Sequence, residues 1–390
     1  MENNLIEEKK CSGLYIVSET ACLNPNTGAN NHINAGLSQL QKYFDIKLCL
    51  FCKPYKPPTR ESSSYPLKSN NTIGSLRGKL KSSIKWIYIL LINHVHFFTC
   101  LKKVKQASPV FIYERSSYLN FNGIIISKLL RIPHMYEVNG ILSHSNSRYF
   151  PKFLNKISFE LEKKAYRNTF GFYVGGINEL LNIPYHNYFI IQNGVDEEFA
   201  VKFKARNNVV KDKINLAFIG HVMPHHRLDV LTESLQLLAN PFAFRLHLIG
   251  SNLESLKDKI PDSVETIFYG SLNHNQISEL IKDFHIGVIT FALPYFSHVK
   301  AFMYGAAKLT MIVPDSRNFK NIFSDNEVVF IKNADAKDMA DKLNFLAANP
   351  SALEKYGENL YNKIRNKFTW EKIYEEIGCK IDKVIKEYHT

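Results

Sequence analysis

The chain has 390 residues, a formal net charge of +13, 45% hydrophobic residues and 22% charged residues. This composition excludes a disordered or fibrous protein, and the length exceeds what one hydrophobic core usually supports, so two domains of similar size are expected. Six scattered cysteines, and a start without the pattern of a signal peptide, predict a reducing cytoplasmic location and no disulfides.

The N-terminal half alternates short apolar runs with helical patterns. The run LYIVS is followed by an Asn-rich loop that contains Gly28 and Ala29, and then by the helical pattern HINAGLSQLQKYF. IKLCLF, VFIYE and HMYEV indicate further strands, and FIIQNGV closes this half. Because strands alternate with helices, a parallel sheet with crossover helices is predicted.

Most of the excess positive charge lies between Lys53 and Lys105, where eleven Lys or Arg residues accompany a single acidic one. Inside this window, residues 86–101 carry no Asp, Glu, Lys or Arg, and a helix with basic flanks is predicted over 81–105. This apolar run is shorter than the roughly 20 residues of a comfortable membrane span. Two interpretations stay open: a helix at the interface of an anionic membrane, or a buried helix of the first domain. Nucleic acid is not an expected partner, since no recognisable binding module is present.

The C-terminal half shows the same alternation, with INLAFIG, FRLHLIGS, ETIFYGS, HIGVITF and TMIVPD as five predicted strands. The predicted fold class is therefore α/β, with two doubly wound, Rossmann-like parallel-sheet domains that face each other across a cleft. Ligands are expected at the carboxyl ends of the strands. The predicted domains are residues 1–196 and 197–370, and an amphipathic last helix, residues 371–390, is expected to pack back on the first domain.

One segment of the second half, LAFIGHVMPHHRLDVL, combines a buried strand, a glycine turn and a helix start. Such a turn holds phosphate well, because free backbone N–H groups and the helix dipole both face the anion. His221, His225, His226 and Arg227 lie in this turn. A metal site is not predicted there, since no cysteine is close in the sequence and imidazole serves equally well as a phosphate donor.

A family resemblance is carried by six segments, which follow one another along the chain: YERSSYLNFNGIIISKLLRIPHMYEVNG, IIQNGVDEEF, LAFIGHVMPHHRLDVL, HLIGS, FYGSLNHNQISELIKDFHIGVITF and FTW. The chain resembles the GT-B fold glycosyltransferases, and most closely the retaining enzymes of glycosyltransferase family 4 that build bacterial surface polysaccharides such as capsule or O-antigen. The resemblance covers nearly the whole chain. It implies that the donor diphosphate binds at the glycine turn and that residues after the first-domain strands line the cleft.

The chain departs from that family at one helix. The family places two glutamates eight positions apart before the last core strand, one for the donor sugar and one for the ribose hydroxyls, and Tyr295 and Met303 stand at these positions here. Lys308 replaces the glycine that usually follows this helix, and His226 and Arg227 replace the usual Lys-Gly. The donor side is thus less acidic and more basic than the family pattern.

The predicted roles follow from the charge that develops on a diphosphate leaving group. Arg227 and Lys300 are predicted to stabilise that charge, and Glu137 is the candidate general base, although retaining enzymes of this type are thought to use the donor phosphate for the acceptor proton. The predicted donor-binding residues are Gly28, Ala29, Asn193, Gly220, His221, His225, His226, Tyr295, Ser297 and Tyr304. The predicted acceptor-binding residues are Glu114, Arg115, Asn139 and His144, with Arg148 as a weaker candidate.

The predicted activity is transfer of a sugar from a diphosphate-activated donor to a glycan or lipid-linked acceptor at the cytoplasmic membrane face, without a cofactor. Two alternatives stay open. A donor with an additional phosphate, phosphoribosyl diphosphate, suits a basic site that lacks the ribose-binding glutamate. A catalytically silent module that binds a glycan or a partner enzyme also explains the missing glutamates, although such a module has no need to keep Arg227 and Lys300.

Overall fold

The computed structural model describes residues 10–24, 28–51, 76–223 and 226–389. The chain divides into two compact units. The first unit comprises Met1–Ile191 together with Tyr374–Thr390, and the second comprises Gln192–Ile373. The predicted boundary at residue 196 thus lies five residues beyond the observed division, because Gln192 and Asn193 bond to Asn318 and Ser297 of the second unit.

The first unit contains a six-stranded parallel sheet in the order β2-β1-β3-β4-β5-β6. Its strands are β1 (Ser12–Val17), β2 (Asp45–Leu50), β3 (Phe111–Arg115), β4 (His134–Val138), β5 (Phe170–Val174) and β6 (Tyr188–Ile191). Its helices are α1 (Gly28–Leu40), α2 (Leu76–His94), α3 (Phe97–Ala107), α4 (Asn122–Leu130), α5 (Leu142–Ser145), α6 (Lys152–Arg167) and α7 (Ile177–Leu181). The tyrosines in the middle of these strands, among them Tyr15 and Tyr113, are fully buried.

The second unit contains another six-stranded parallel sheet, in the order β12-β11-β10-β7-β8-β9. Its strands are β7 (Ile214–Ile219), β8 (Phe244–Ile249), β9 (Glu265–Gly270), β10 (Ile286–Val288), β11 (Thr310–Pro314) and β12 (Val329–Ile331). Its helices are α8 (Glu197–Lys202), α9 (Leu228–Gln236), α10 (His274–Leu280), α11 (Val299–Ala306), α12 (Arg317–Ile322), α13 (Ala336–Ala348) and α14 (Pro350–Lys367). The last helix, α15 (Trp370–His389), begins in this unit.

The alternation of apolar runs and amphipathic helices explains both sheets. Strand β7 is buried at Leu216, Ala217 and Phe218, and neighbouring strands contribute equally apolar residues, as expected for a sheet covered on both faces. The five strands predicted for this half all form. Strand β12, an edge strand of three residues, was not predicted because so short a run has no readable periodicity.

Helix α15 belongs to the first unit from Tyr374 onward. Its apolar residues Ile377 and Ile381 are fully buried, and Tyr374 lies where a Cβ on Gly36 of α1 would collide with its ring. Lys380 lies over the Phe189 ring of β6 at 4.9 Å. The amphipathic spacing of this helix therefore buries one face against the elements of the first unit.

The basic segment forms two helices rather than the single helix predicted over 81–105. Helix α2 ends at His94 and α3 begins at Phe97, with a turn at Val95 and His96. By length and composition alone, Arg77–Ala107 is apolar enough to cross a membrane, and only 11% of its most apolar window is buried. The interpretation as a buried helix does not agree with this exposure. The Pro- and Ser-rich composition of residues 54–69 predicts a surface loop, and these residues lie outside the described ranges.

Candidate functional site

The second sheet reverses its strand order between β7 and β10. The chain passes from β7 to β8 and β9 on one side, and from β10 to β11 and β12 on the other. In open parallel sheets, such a reversal marks the place beyond the carboxyl ends of the strands where ligands bind. Two residues that follow these strands are joined here, since the Thr290 hydroxyl donates to the backbone carbonyl of His226.

Gly220 follows β7 directly at this point and has a φ of +151°, a conformation that side chains rarely adopt. A Cβ on Gly220 would lie 3.0 Å from the Lys300 Nζ and 3.2 Å from the His226 ring carbon Cε1. The glycine therefore brings bare backbone within reach of a cation and an imidazole. Such a cradle matches the phosphate-binding turn predicted from the sequence.

We expect Gly220→Ala to weaken binding of a nucleoside diphosphate at least about tenfold, because the methyl group displaces the Lys300 ammonium and strains the backbone. Calorimetric titration with UDP measures the effect. Gly270→Ala is the matched control, since Gly270 also has a positive φ, +66°, but its Cβ would meet no atom within 4 Å. Equal losses in the two variants would contradict a local role for Gly220.

Lys300 is the cation that lies beside the glycine turn at Gly220. It lies in the first turn of α11, and its Nζ stands 4.1 Å from the centre of the Phe218 ring. Burial lowers the pKa of its ammonium to about 7. Residues 286–314 contain no Asp or Glu, and in the part of the chain that the structure describes no carboxylate forms an ion pair with Lys300. A cation at a helix N-terminus without a partner is poised to accept an anion.

The histidines of the turn form a hydrogen-bonded chain. The Nδ1 of His221 lies 2.8 Å from the Ser251 hydroxyl and 3.2 Å from the Ser251 backbone nitrogen, which donates to it. The Nδ1 of His226 lies 2.6 Å from the His221 carbonyl oxygen, so it carries the proton of this bond. His225 lies outside the described residues. His221 and His226 are thus held beside Gly220.

Arg227 is placed differently from Lys300. Its φ is +40°, its side chain is exposed, and its guanidinium makes a two-pronged pair with Asp229 at distances of 2.7 to 3.0 Å. The Asp229 carboxylate raises the pKa of Arg227. In this conformation the positive charge of Arg227 is neutralised by Asp229, in the first turn of α9. Because an exposed pair is worth only about 0–1 kcal/mol, Arg227 is able to exchange Asp229 for a phosphate at little cost.

Three other predicted donor residues, Asn193, Ser297 and Tyr304, have structural contacts. Asn193 and Ser297 bind each other, with the Asn193 amide donating to the Ser297 carbonyl at 2.9 Å and the Asn193 backbone N–H to the Ser297 hydroxyl at 3.2 Å. Tyr304 is fully buried, and its hydroxyl accepts the Ile219 N–H at 2.9 Å. Tyr295 lies half-buried in the loop before α11. Tyr304 therefore supports β7 from beneath rather than facing a ligand.

The two departures around α11 have a structural basis. Met303, which stands where the resemblance to family 4 would place a glutamate, packs against the apolar core. Lys308 has a φ of +56°, the left-handed conformation that favours the usual glycine, and its Nζ pairs with Glu358 at 2.6 Å and lies over the Tyr361 ring. Lys308 is buried and neutralised there. The positive charge of Lys308 therefore does not add to the positive charge around the glycine turn at Gly220.

The first unit has a second polar cluster around Glu137, at the carboxyl end of β4. Its fully buried carboxylate accepts hydrogen bonds from Tyr15 at 2.9 Å, Tyr113 at 3.0 Å and Tyr374 at 3.4 Å. Two further donors are Arg115 and Asn139, the latter at 2.7 Å. Glu137 thus joins β1, β3, β4 and α15, and the structure confines it among donors.

The protonation states in this cluster follow from burial and charge. Burial would raise the pKa of Glu137, but neighbouring positive charge and the hydrogen bonds from Asn139 and Tyr15 outweigh it and lower that pKa to about 2. His32 of α1 lies 3.7 Å from the carboxylate, and burial lowers the pKa of its imidazole to about 4. The imidazole is therefore neutral at pH 7, and Arg115 is the cation that pairs with Glu137. So acidic a carboxyl is a weak general base, which argues against the predicted base role.

The remaining first-domain predictions are distributed around this cluster. Arg115 and Asn139 belong to it. Glu114 does not, because its side chain points to the other face of the sheet, where it bonds to the His134 Nε2 at 2.7 Å and fills the space beside Gly123. His144 is exposed on α5 and stacks on Phe159. Arg148 is also exposed, over the Tyr149 ring. Gly28 and Ala29 are the first two residues of α1.

Sequence reasoning missed four members of the Glu137 cluster: Tyr15, His32, Tyr113 and Tyr374. Tyr15 and Tyr113 lie in apolar runs that indicate only buried strands, and Tyr374 lies in a helix read for its apolar face. The one available signal was the polar hydroxyl of a tyrosine inside an otherwise apolar stretch, since such groups need partners when buried; His32 lies in the polar sequence GANNHINAG and carries no such signal.

Two cavities lie away from the donor turn. A cavity of about 10 Å³ in the first unit, lined by Ser117, Tyr136 and Glu162 among others, has room for about one water and none for a sugar. A groove of about 520 Å³ in the second unit is lined by Arg206, Arg245 and neighbouring residues. It lies at the amino ends of β7 and β8, the edge opposite Gly220. In the described ranges, no group of three His, Cys, Asp or Glu residues is arranged to hold a metal.

Residues 230–378 match the sequence family described as glycosyl transferase-like. No curated protein sequence matches the chain. A glycosyltransferase from Rickettsia africae superposes with a TM-score of 0.70 at 12% identity, covering 98% of this chain and 100% of that one. The chain has the GT-B fold. The predicted fold class is thereby confirmed.

Two other GT-B structures show the same similarity. Anabaena HepE in complex with UDP and glucose superposes with a TM-score of 0.63 at 10% identity and covers 96% of this chain and 100% of that chain. The lipopolysaccharide outer core galactosyltransferase WaaB superposes with a TM-score of 0.68 at 12% identity and covers 95% of this chain and 99% of its own. The glycosyl transferase-like match includes α11 and Lys300, whereas Gly220, His221, His226 and Arg227 precede its first residue.

Proposed function

We propose that the protein is a glycosyltransferase that takes its sugar from a nucleoside-diphosphate donor whose diphosphate binds beside Gly220 and Lys300. The observation that carries this proposal is the unneutralised Lys300 beside a bare glycine backbone at the strand reversal of the second sheet. As the bond from the anomeric carbon to the diphosphate oxygen breaks, negative charge develops on that oxygen. The Lys300 ammonium stabilises this charge in a partly buried site, where electrostatic interactions are stronger than in water.

The donor base and sugar are a finer part of the proposal. HepE is a GT-B protein whose structure contains UDP and glucose, so uridine is the first nucleotide to test. The ribose hydroxyls are held here without a carboxylate from α11, because Tyr295 and Met303 stand where the resemblance to family 4 places glutamates. Phosphoribosyl diphosphate is the alternative donor, since it presents more phosphate and needs no nucleotide pocket.

We also propose retention of the anomeric configuration. With a pKa of about 2 and five donors around it, Glu137 is a poor base for the acceptor hydroxyl. A route in which the leaving phosphate takes the acceptor proton, as the family resemblance implies, needs no such base. Glu137 then acts as a positioning residue that orients Arg115 and Asn139 toward the acceptor side.

The acceptor proposed is a glycan or a lipid-linked precursor of a bacterial surface polysaccharide. The similarity to WaaB, a lipopolysaccharide outer core galactosyltransferase, supports this class of acceptor. A reducing, cytoplasmic location suits the free thiols of Cys11, Cys22, Cys49, Cys100 and Cys379. Product analysis with a membrane extract and a labelled sugar nucleotide tests both the acceptor class and the stereochemistry.

Calorimetric titration with UDP, GDP, ADP and phosphoribosyl diphosphate tests the donor. At least one nucleoside diphosphate should bind, and Lys300→Met should remove the binding while Lys337→Met, an exposed lysine of α13, leaves it unchanged. Binding of phosphoribosyl diphosphate alone would favour the phosphoribosyl donor. If no diphosphate binds, the enzyme proposal fails and a silent glycan-binding or scaffolding module replaces it.

The pH dependence of UDP binding is a further expected result. Lys300 with a pKa of about 7 is half protonated at neutral pH, and the bound anion raises this pKa because it favours the charged form. Binding therefore takes up a proton, and affinity falls by up to about tenfold per pH unit between pH 7 and pH 9. Lys300→Arg should flatten the profile, since the guanidinium stays charged throughout this range. A flat wild-type profile would contradict the role of Lys300.

A further inference from the structure

Helix α2 carries an exposed apolar face. Leu80, Ile84, Tyr88, Leu91 and Val95 recur at helical spacing, and each exposes between 59% and 64% of its surface. Phe98, at the start of α3, is 79% exposed and continues the face beyond the turn. The stripe from Leu80 to Val95 is roughly 22 Å long. Contiguous apolar surface of this size is unusual on a soluble monomer and marks a surface that binds something.

The opposite face of α2 is fixed to the first unit. The Trp86 indole is buried and donates to the Ser158 hydroxyl at 2.8 Å, within an apolar cluster that includes Leu119 and Phe150. The Asn93 side chain donates to the Tyr118 carbonyl at 2.8 Å. Because these contacts hold one side of the helix against the protein, the apolar stripe points outward.

The charge around this stripe has one sign. Residues 76–107 contain seven Lys or Arg residues and no Asp or Glu. Arg77, Lys79 and Lys81 lie at the N-terminal end of α2, and Lys102 and Lys105 lie on α3; all five are exposed or half-buried. An apolar stripe with a basic border is complementary to a surface that is apolar inside and anionic at its rim.

We propose that the face formed by α2 and the start of α3 docks on an anionic lipid bilayer, with Leu80 to Phe98 in the acyl boundary and the basic residues among the headgroups. A second copy of this chain is a poorer occupant, since a two-fold contact would place seven like charges against seven others without an acidic partner. A crossing helix is also a poorer fit, because Trp86 and Asn93 bind protein rather than lipid.

Docking at this face has a consequence for the proposed function, on which this step rests. The Asn122 amide donates to the Asn93 carbonyl at 2.6 Å, and the His94 ring stacks on Phe121. Helix α2 is thus bonded to the segment 116–122, which directly follows Arg115 at the carboxyl edge of the first sheet. The bilayer would then lie beside the acceptor side, which favours an acceptor that carries a lipid.

Vesicle flotation tests the docking without any donor or acceptor, so its result is independent of glycosyl transfer. The 390-residue chain is mixed with vesicles of phosphatidylcholine alone, or with vesicles that also contain roughly 30% phosphatidylglycerol, a fraction that makes the surface strongly anionic. We expect the wild type to float at least about tenfold more with the anionic vesicles. Ile84→Glu with Leu91→Glu should abolish flotation, and Lys79→Glu with Lys81→Glu should remove its dependence on anionic lipid.

The matched controls are Leu237→Glu with Phe242→Glu, two exposed apolar residues of the second unit, and Lys337→Glu with Lys355→Glu. Both should float like the wild type. The substituted residues of α2 are exposed, so folding is not at risk, and circular dichroism checks it. The proposal is overturned if the wild type does not float, if Ile84→Glu with Leu91→Glu floats equally, or if these changes instead abolish a dimer seen by sedimentation. Protection by sealed vesicles of protease sites on only one side of α2, with sites on the other side still cleaved, would also overturn it, because the segment would then cross the bilayer.

Discussion

Replacing Lys300 by Met is expected to abolish donor binding and, at the same time, to stabilise the protein. The ammonium has no carboxylate partner among the residues described, and burial lowers its pKa from 10.5 to about 7. A group whose pKa is lowered on folding destabilises the folded state while the unfolded chain still holds the proton, and the cost shrinks as pH rises from 7 toward 10.5. We expect the free energy of unfolding at pH 7 to rise by roughly 1–3 kcal/mol, less than the full shift implies because Lys300 stays partly exposed.

The two tryptophans allow this to be measured for the second unit alone. Trp86 lies in the first unit and Trp370 in the second. Denaturation of Lys300→Met in a Trp86→Phe background, followed by Trp370 fluorescence, gives the stability of the second unit, and titration with UDP gives the binding. The gain in stability should disappear near pH 10. A variant that loses both stability and binding would show that Lys300 is structural rather than a phosphate ligand.

Replacing Glu137 by Gln is expected to cost the first unit about 3–5 kcal/mol of unfolding free energy at pH 7. The substitution leaves the buried Arg115 guanidinium without its anion and weakens the hydrogen bonds of Tyr15, Tyr113 and Tyr374. Breaking a buried pair by removing one charge is costly because the other charge stays buried and uncompensated. The pKa of Glu137, lowered to about 2, also predicts a pH dependence. The contribution of this carboxylate to the free energy of unfolding is complete above its unfolded-state pKa near 4.5 and is lost as pH falls toward 2.

Urea denaturation in a Trp370→Phe background, followed by Trp86 fluorescence between pH 7 and pH 3, measures both effects. Glu114→Gln is the matched control. Glu114 is the same residue type in the neighbouring strand, is equally buried, and has a pKa raised mainly by burial, so its charge contributes less. A Glu137→Gln variant as stable as Glu114→Gln, or one that keeps the wild-type loss of stability below pH 4.5, would show that Glu137 does not anchor this cluster.

The alternation of apolar runs and amphipathic helices was enough to predict two parallel-sheet domains, because each run needs both faces covered and each helix needs one. The glycine turn was also readable. A glycine directly after a buried strand, with basic residues behind it, has few uses other than close approach to an anion. Gly220, His221 and His226 lie together as that pattern predicts.

Sequence patterns do not show which charged side chains pair with one another in the folded protein. Arg227 and Lys300 look alike as cations near a helix start, yet Arg227 is held by Asp229, whereas none of the carboxylates that the structure describes pairs with Lys300. Lys308 looks like added positive charge, but Glu358 neutralises it. These outcomes depend on rotamers and on which helices pack together, neither of which is encoded in local spacing.

Sequence by itself determined the fold class, the glycine turn after β7 and the presence of one basic, apolar segment, because these follow from periodicity and composition over short windows. Tertiary structure decided three further points. It placed Glu137 among donors that include Tyr374, 237 residues away in the chain; it left Lys300 without an ion pair to any carboxylate of the described residues; and it turned the apolar stripe of α2 outward by bonding Trp86 to Ser158. The physical reason is common to all three: a charge or an apolar face acquires its role from what covers it, and the covering groups are distant in sequence.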